Sequence, residues 1–525
     1  MTFKLTYATM FDPPEALHER FEEALAVIRA HLGAEHPMLI GGRDERASRQ
    51  FGVHAPADTR VVLGRFQVGE EAHAAAAIAA AKRACPEWSR RPWQERVALL
   101  RRAAQLIADR VYALGAVLAL EVGKNRMEAL GEAQETADLI AYYCDQMEAN
   151  EGYAKPMARD PLAGIVSENR SVLKPYGVWL VVSPFNFPLA LSAGPAGAAL
   201  VAGNAVVLKP ASATPWSARL LALAFRDAGI PPGVFNYVTG PGATLGQALA
   251  THPDVAGLTF TGSHAVGMEL YRTFAAGRWP RPCIAEMGGK NAAIVTHRAD
   301  LTDAATGILR SAFGLSGQKC SACARVYVEH AKFVDLVAEL HRLTLAIRIG
   351  DPTRREHWMG PVIDAAAVAR FEEAADIVRG LGPAGAIVEG GLRLDGALAQ
   401  GHFVAPTIAR VVAGHPLWER ELFLPFVLVA PVDTLDEALA LANQGDYGLT
   451  AGFYGSPEET ERFFAEIEAG VCYANRPQGA TTGAWPGYQP FGGWKGSGST
   501  GKGAGSLYYL PQYLREQSQT RVRPG

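Results

Sequence analysis

The sequence predicts an α/β protein with two parallel-sheet domains, and three observations carry that expectation. From residue 178 onward, short apolar runs alternate with helix-length segments, the pattern of strands joined by crossover helices. A second set of the same kind begins near residue 292. At 525 residues the chain is also too long for one ordinary core, so two or three packed units are expected.

Taken in order, residues 14–32 place Leu17, Phe21, Leu25, Ile28 and Leu32 at three- and four-residue spacing, which predicts an amphipathic N-terminal helix. Residues 72–107 and 114–143 read as further helices, punctuated at Gly123-Lys124, so the first third is expected to be largely helical. Residues 178–182, 205–208, 234–238 and 257–260 read as buried strands, with crossover helices at 215–227, 243–250 and 265–275. The second set comprises strands at 292–295, 324–328 and 426–429 and helices at 301–313 and 334–345. Glycine and aromatic residues dominate 479–505, read as ordered loop, and 507–514 reads as a short strand suited to pairing with another element. There is no internal repeat.

A net charge of −3 with 49% apolar residues fits a globular protein without the basic footprint of nucleic-acid binding. Six cysteines scattered through the chain do not form a secreted disulfide framework, so a reducing compartment is expected. The first twenty residues lack a signal-like apolar stretch, and the longest apolar run, 189–201, is broken by Gly194, Pro195 and Gly197 and is too short to span a bilayer. The expected location is the cytoplasm, with no membrane partner.

Chemistry concentrates at Gly317-Gln318-Lys319-Cys320-Ser321-Ala322, which supplies a candidate thiol nucleophile after a glycine turn. Cys320 and Cys323 form a C-x-x-C, but no second pair stands at zinc spacing and His330 is the only histidine close by, so no metal is expected. Glu286 ends the apolar run Cys283-Ile284-Ala285 and precedes Gly288-Gly289, a setting for a general base with a shifted pKa. Asn186 follows the strand 178–182 at the edge where α/β sheets bind ligands, and its amide suits an oxyanion; a turn asparagine is the alternative. Gly240-Pro241-Gly242-Ala243-Thr244-Leu245-Gly246 and Gly262-Ser263-His264-Ala265-Val266-Gly267 each follow a strand and open a helix, so their N–H groups can face a pyrophosphate. Lys209 closes the neighbouring strand.

In this order, Pro184-Phe185-Asn186-Phe187-Pro188, Lys209-Pro210, Phe260-Thr261-Gly262-Ser263, Glu286-Met287-Gly288-Gly289-Lys290-Asn291, Gly317-Gln318-Lys319-Cys320, Glu421-Leu422-Phe423 and Pro490-Phe491-Gly492-Gly493 resemble the aldehyde dehydrogenase superfamily from about residue 40 to the end. The resemblance implies an NAD(P)-binding domain (1–150 and 178–286), a catalytic domain (287–480) and a small β oligomerisation hairpin (151–177 and 500–525) that makes a homo-oligomer. It implies Cys320 as nucleophile, Glu286 as base, and Asn186 with the Cys320 N–H as oxyanion hole. Lys209, Ser212, Gly242, Gly246, Gly262, Ser263 and Gly267 would hold the dinucleotide, and Glu421 and Phe423 its nicotinamide side.

Lys319-Cys320-Ser321-Ala322 with Arg325, and the tail Ser497-Gly498-Ser499-Thr500 with Lys502, Gly505 and Tyr509-Leu510, are similar to 1-pyrroline-5-carboxylate dehydrogenases, which oxidise L-glutamate γ-semialdehyde. That similarity implies Ser321, Gly483 and Ala484 as the grip on a substrate carboxylate, Phe185 against its aliphatic chain, and Glu135 as a helix carboxylate orienting Lys319. The sequence departs from the pattern at Trp485-Pro486, where small aliphatics are usual, and at Leu424, which replaces a glycine. Ser212 stands where many relatives carry an acidic residue reading the ribose, which leaves NAD and NADP both open. The alternative function is oxidation of another semialdehyde or of an aliphatic or aromatic aldehyde.

Overall fold

Two seven-stranded sheets carry the fold in the computed structural model, which describes residues 5–6, 13–161, 163–477 and 485–525. The first sheet runs Cys283–Glu286, Val255–Thr261, Val178–Val182, Ala205–Lys209, Phe235–Tyr237, Met38–Ile40 and Arg43–Glu45. It is parallel through Phe235–Tyr237 and antiparallel for the last two strands. Ala205–Lys209 is buried along its whole length, as expected of a strand covered by helices on both faces. From Val178–Val182 the later strands step outward in opposite directions, so their carboxyl ends bound a crevice at a topological switch point.

The second sheet runs Gly385–Glu389, Thr407–Val411, Phe426–Val432, Cys323–Glu329, Asn291–Val295, Thr450–Tyr454 and Val471–Ala474, with only Gly385–Glu389 antiparallel. A third, antiparallel sheet places Ile165–Pro175 between Ala154–Pro156 and the C-terminal strand Leu514–Pro524.

Several expectations change. The helix expected over 72–107 is two helices, Glu71–Arg90 and Trp93–Asp109, because Pro92 has no N–H to give and holds Arg91 in extended backbone (ψ 135°). The first third, expected to be largely helical, also contains strands between residues 34 and 67, among them Gln50–Ala55 and Asp58–Gln67, for which no element was expected. The strand expected at 507–514 is instead a 3-10 turn, Leu510–Tyr513, and the strand starts at Leu514. Pro511 interrupts strand pairing there, and the adjacent Tyr509 and Leu510 are both buried, which breaks strand alternation.

The helix Arg126–Ala149 deserves its length because of what it brings inward. Gly123 ends the preceding helix Val111–Val122 at φ +85°, and Asn125 caps the next by accepting the Glu128 N–H. Its buried Glu132 accepts the N–H groups of Leu189 and Ala190, at the start of the helix Ala190–Ala202, and pairs with the equally buried Lys124 at 2.7 Å.

Candidate active site

The loop that carries Cys320, the candidate nucleophile, begins where the helix Leu301–Phe313 ends. Leu315, Ser316 and Gly317 adopt left-handed backbone in succession (φ 51°, 53° and 67°), a conformation that costs roughly 1 kcal/mol or more for each residue with a side chain. At Gly317 a Cβ would come within 2.1 Å of the Leu424 carbonyl oxygen, so glycine is required there twice over. Surrounding bonds hold this strained loop. Ser316 Oγ donates to the Gly360 carbonyl at 2.7 Å, and Gln318 Oε1 accepts the Ile363 N–H at 2.8 Å. Asn291 Nδ2 donates to the carbonyls of Cys320 and Ala322 at 2.7 and 2.9 Å. Glu128 accepts from the Leu315 N–H at 3.2 Å and from Lys319 Nζ at 3.1 Å.

Burial pushes the Cys320 thiol up to about 12, with the carboxylates of Glu421 and Glu286 adding to the effect and the N–H groups of Cys320 and Ser321 opposing it. Glu286 is pushed up to about 8, chiefly by burial, against one opposing hydrogen bond from the Gly493 N–H. Its Oε2 has no partner among the described residues. The strand end that carries it is clamped by the C-terminal tail: Ser499 N–H donates to Ala285 O at 2.9 Å, Ala285 N–H to Ser499 Oγ at 2.8 Å, and Met287 N–H to Ser497 O at 2.8 Å. Asn186 is buried, and its Nδ2 donates to the Gln318 carbonyl at 3.0 Å, against the nucleophile loop. The three residues expected to carry the chemistry, drawn from three separate parts of the chain, are thus neighbours.

Two cavities meet at Cys320. The larger, about 490 Å³, opens at the carboxyl ends of the first sheet and is bordered by Ser183, Phe185, Asn186, Phe260, Gly262, Ser263, Arg370, Glu421 and Phe423. Ser263 caps the helix His264–Ala275, so the N–H groups of that helix start face this crevice, the setting that favours a pyrophosphate. Glu421 accepts the Gly289 N–H at 3.0 Å, and burial raises it to about 7. A Cβ at Gly288 would stand 2.1 Å from Glu421 Oε2, so glycine is what lets this carboxylate lie against the backbone. Volume, position and donors fit a nicotinamide dinucleotide with its reactive end at the thiol.

The smaller cavity, about 80 Å³, is bordered by Glu135, Leu139, Phe187, Ser321, Trp485, Phe491 and Gly505. Trp485 is 3% exposed, packs on Met127 and Phe187, and donates its indole N–H to Asp138 at 2.8 Å.

Of the residues expected to bind the dinucleotide, Gly262, Ser263, Glu421 and Phe423 border the larger cavity. Lys209, Ser212, Gly242, Gly246 and Gly267 are not on its wall. Lys209 is buried and pushed down to about 8 by that burial, with Nζ donating to Pro210 O at 3.2 Å. Ser212 Oγ donates to Gly240 O at 3.3 Å. Phe185 meets Phe423 edge-on at 5.7 Å on the larger cavity, whereas the rings on the smaller one are those of Phe187, Trp485 and Phe491. Ser321 is on the smaller cavity. Gly483 and Ala484 lie outside the described residues.

The carboxylate that holds Lys319 is Glu128, not Glu135. Glu128 and Glu135 are seven residues apart, two turns along one helical face, so periodicity alone does not separate them. Asn291 stands in a quoted motif, yet its part in fixing the nucleophile loop has no local signature. Arg370, on the helix Ala365–Gly380, gave no signal either.

The model of the Aldehyde dehydrogenase family matches residues 43–518, and the chain belongs to that family. Among curated relatives it is 37% identical over 513 residues to the 1-pyrroline-5-carboxylate dehydrogenase of Geobacillus sp. (strain WCH70), with 96% of each chain covered. Among solved structures, 1-pyrroline-5-carboxylate dehydrogenase from Thermus with bound NAD superposes with a TM-score of 0.92 at 32% identity, over 99% of both chains. Proline utilization A (PutA) from Bdellovibrio bacteriovorus, inactivated by N-propargylglycine, gives a TM-score of 0.91 at 34% identity over 97% of this chain. The chain spans about half of that protein, 52% of its length.

Proposed function

We propose that this enzyme oxidises L-glutamate γ-semialdehyde to L-glutamate with NAD or NADP, a step of proline catabolism. The observation that carries the reading is the position of Cys320 on two cavities at once, one suited to a dinucleotide and one small cavity bordered by Ser321 and acidic and aromatic side chains. The names of the relatives point to the same substrate.

Burial keeps the Cys320 thiol protonated at neutral pH, so its proton leaves to a base as sulfur attacks the aldehyde carbon. Glu286, beside it, is the base for the later hydrolytic step. The Asn186 amide and the Cys320 N–H serve as donors to the alkoxide that forms. The dinucleotide, when bound, supplies the acceptor for the aldehyde hydrogen. The thioester left on sulfur is released by a water whose proton Glu286 takes. Ser321 grips the substrate α-carboxylate, together with Gly483 and Ala484 as the sequence resemblance implies. A second reading, another aldehyde, is favoured by Trp485, which closes the small cavity where small aliphatics are usual.

Purified protein given L-glutamate γ-semialdehyde should reduce NAD, and Cys320→Ala should abolish that turnover. A carboxylate grip makes kcat/KM at least about tenfold higher than for an uncharged aldehyde of equal length; an equal or reversed ratio selects the second reading.

The cysteines are all unpaired, which supports a cytoplasmic location. The strand Leu514–Pro524 is a long, largely exposed edge strand, and we take it as the contact with a second copy of the chain. Sedimentation of the intact protein as a monomer would contradict that assembly.

A further inference from the structure

A third cavity, polar and about 350 Å³, does not include Cys320 in its wall and lies between the N-terminal helix Glu15–Arg29, the start of the helix Arg126–Ala149 and the loop 351–356. Four arginines border it: Arg29, Arg126, Arg354 and Arg355. Three carboxylates do too, but much of their pairing is loose. Arg29 stands 3.8 Å from Asp351, and Arg354 stands 4.0 Å from Asp351 and 3.9 Å from Glu356, beyond hydrogen-bond length. Arg355 is drawn to Glu15, at 2.8 Å.

Arg126 is the telling member. Its side chain is 5% exposed, it reaches Glu22 at 3.2 Å and the Thr353 carbonyl at 2.7 Å, and its Nε–H has no partner among the described residues. A buried guanidinium N–H without an acceptor is costly, and native structures keep such a group where something else completes it. Guanidinium forks arriving from several directions match a tetrahedral oxyanion, which offers acceptors on every side. Arg126 is also the first residue of a 24-residue helix, whose dipole favours negative charge at this end.

The cavity touches the elements that hold the nucleophile. Asn125, next to Arg126, donates to Trp358 O at 2.8 Å and to Glu128 at 3.1 Å, and Glu128 holds Lys319. The chain leaving the cavity at Glu356 runs on to Gly360 and Ile363, which bond Ser316 and Gln318.

We propose that this cavity binds a phosphorylated small molecule and that its occupancy alters turnover at Cys320 through Glu128 and the 351–363 segment. The test uses the full chain saturated with NAD, so that the dinucleotide cavity is already filled. Inorganic phosphate and pyrophosphate are titrated separately by calorimetry at constant ionic strength, one arm reporting a single phosphate and the other a diphosphate. Arg29 and Arg354 are half or more exposed, so Arg29→Ser with Arg354→Ser should leave the fold and NAD affinity intact. The proposal expects one saturable site per chain, at least tenfold weaker in the double variant, and a change in kcat or KM for the aldehyde on adding the tighter anion to wild type but not to the variant. No saturable binding, or equal affinity in both proteins, overturns the site; binding that leaves both kinetic constants unchanged overturns the coupling.

Discussion

Glu286→Gln isolates the acid–base role. The substitution preserves shape, and the Gly493 N–H keeps an oxygen to bond, so the strand end clamped by Ser497 and Ser499 should stay in place. What disappears is a base pushed up to about 8 by burial. In wild type a base with that pKa is ionised in about one molecule in ten at pH 7 and about one in a hundred at pH 6. If thioester hydrolysis limits turnover, kcat should therefore rise about tenfold per pH unit up to pH 8 and then level off. General bases contribute about 10²- to 10⁴-fold, so the plateau rate should fall by that factor in Glu286→Gln and the limb near pH 8 should vanish. Stopped-flow measurement of reduced nicotinamide separates the steps: the variant should still give a burst, close to one equivalent per site, followed by a nearly dead steady state. A variant that turns over at the wild-type plateau, or that keeps the pH 8 limb, refutes the assignment. Loss of both burst and steady state would move the role of Glu286 from hydrolysis to activation of the thiol.

Four other outcomes follow from the same geometry. Gly317→Ala forces a Cβ toward the Leu424 carbonyl at 2.1 Å on left-handed backbone, so kcat should collapse while NAD affinity changes little, as titration of the purified variant would report. Breaking the buried Lys319–Glu128 pair from either side, Lys319→Met or Glu128→Gln, should cost about 3–5 kcal/mol, and the double variant less than the sum; additive losses in denaturant titrations would deny the coupling. Trp485→Ala opens the smaller cavity and strips Asp138 of its indole donor, so bulkier aldehydes should gain kcat/KM relative to small ones, and an unchanged ranking in a substrate panel counts against Trp485 as the wall. Glu286 is raised to about 8, and Glu121 and Glu421 to about 7, from an ordinary 4.5, so the unfolded chain releases these protons first. The stability they contribute is complete below about 4.5 and is lost as pH rises to about 8; Glu286→Gln should flatten its share of that fall, visible in melting temperatures of the protein without dinucleotide.

What could be read from the chain follows a physical divide. Buried parallel strands announce themselves as apolar runs, and Val178–Val182, Pro215–Asp227 and Leu301–Phe313 begin and end where their local pattern does. The strands between residues 34 and 67 are short, and Arg43–Glu45 is exposed throughout, so no hydrophobic period marks them. The same divide runs through the site. Cys320, Glu286 and Asn186 stand in distinctive local contexts, which is why the sequence brings them forward as candidates. Glu128 was not, because its role depends on which turn of a buried helix faces Lys319, and that is a matter of tertiary packing. Nor did Arg126 stand out, since an orphaned Nε–H is visible only once Thr353 and Glu22 have taken its other nitrogens.

The arrangement also accounts for why so many charges are buried around one sulfur. A thiol that borders two cavities on different sides is served poorly by regular secondary structure, which offers each side chain a single face. The left-handed run at Leu315, Ser316 and Gly317 turns the chain so that Cys320 reaches both cavities, and such a run is unstable alone. Its supports must come from elements already rigid. Glu128 provides two bonds from a helix whose next buried carboxylate, Glu132, is locked to Lys124 and to the start of the helix Ala190–Ala202. Asn291 provides two more from the start of an inner strand of the second sheet. Each support is polar because it must reach backbone groups left unpaired by the turn, and each is buried because the turn is. Replacing any one by an apolar residue of equal size would therefore strand a carbonyl or N–H of the loop that carries Cys320, and the loss should appear in both catalysis and stability.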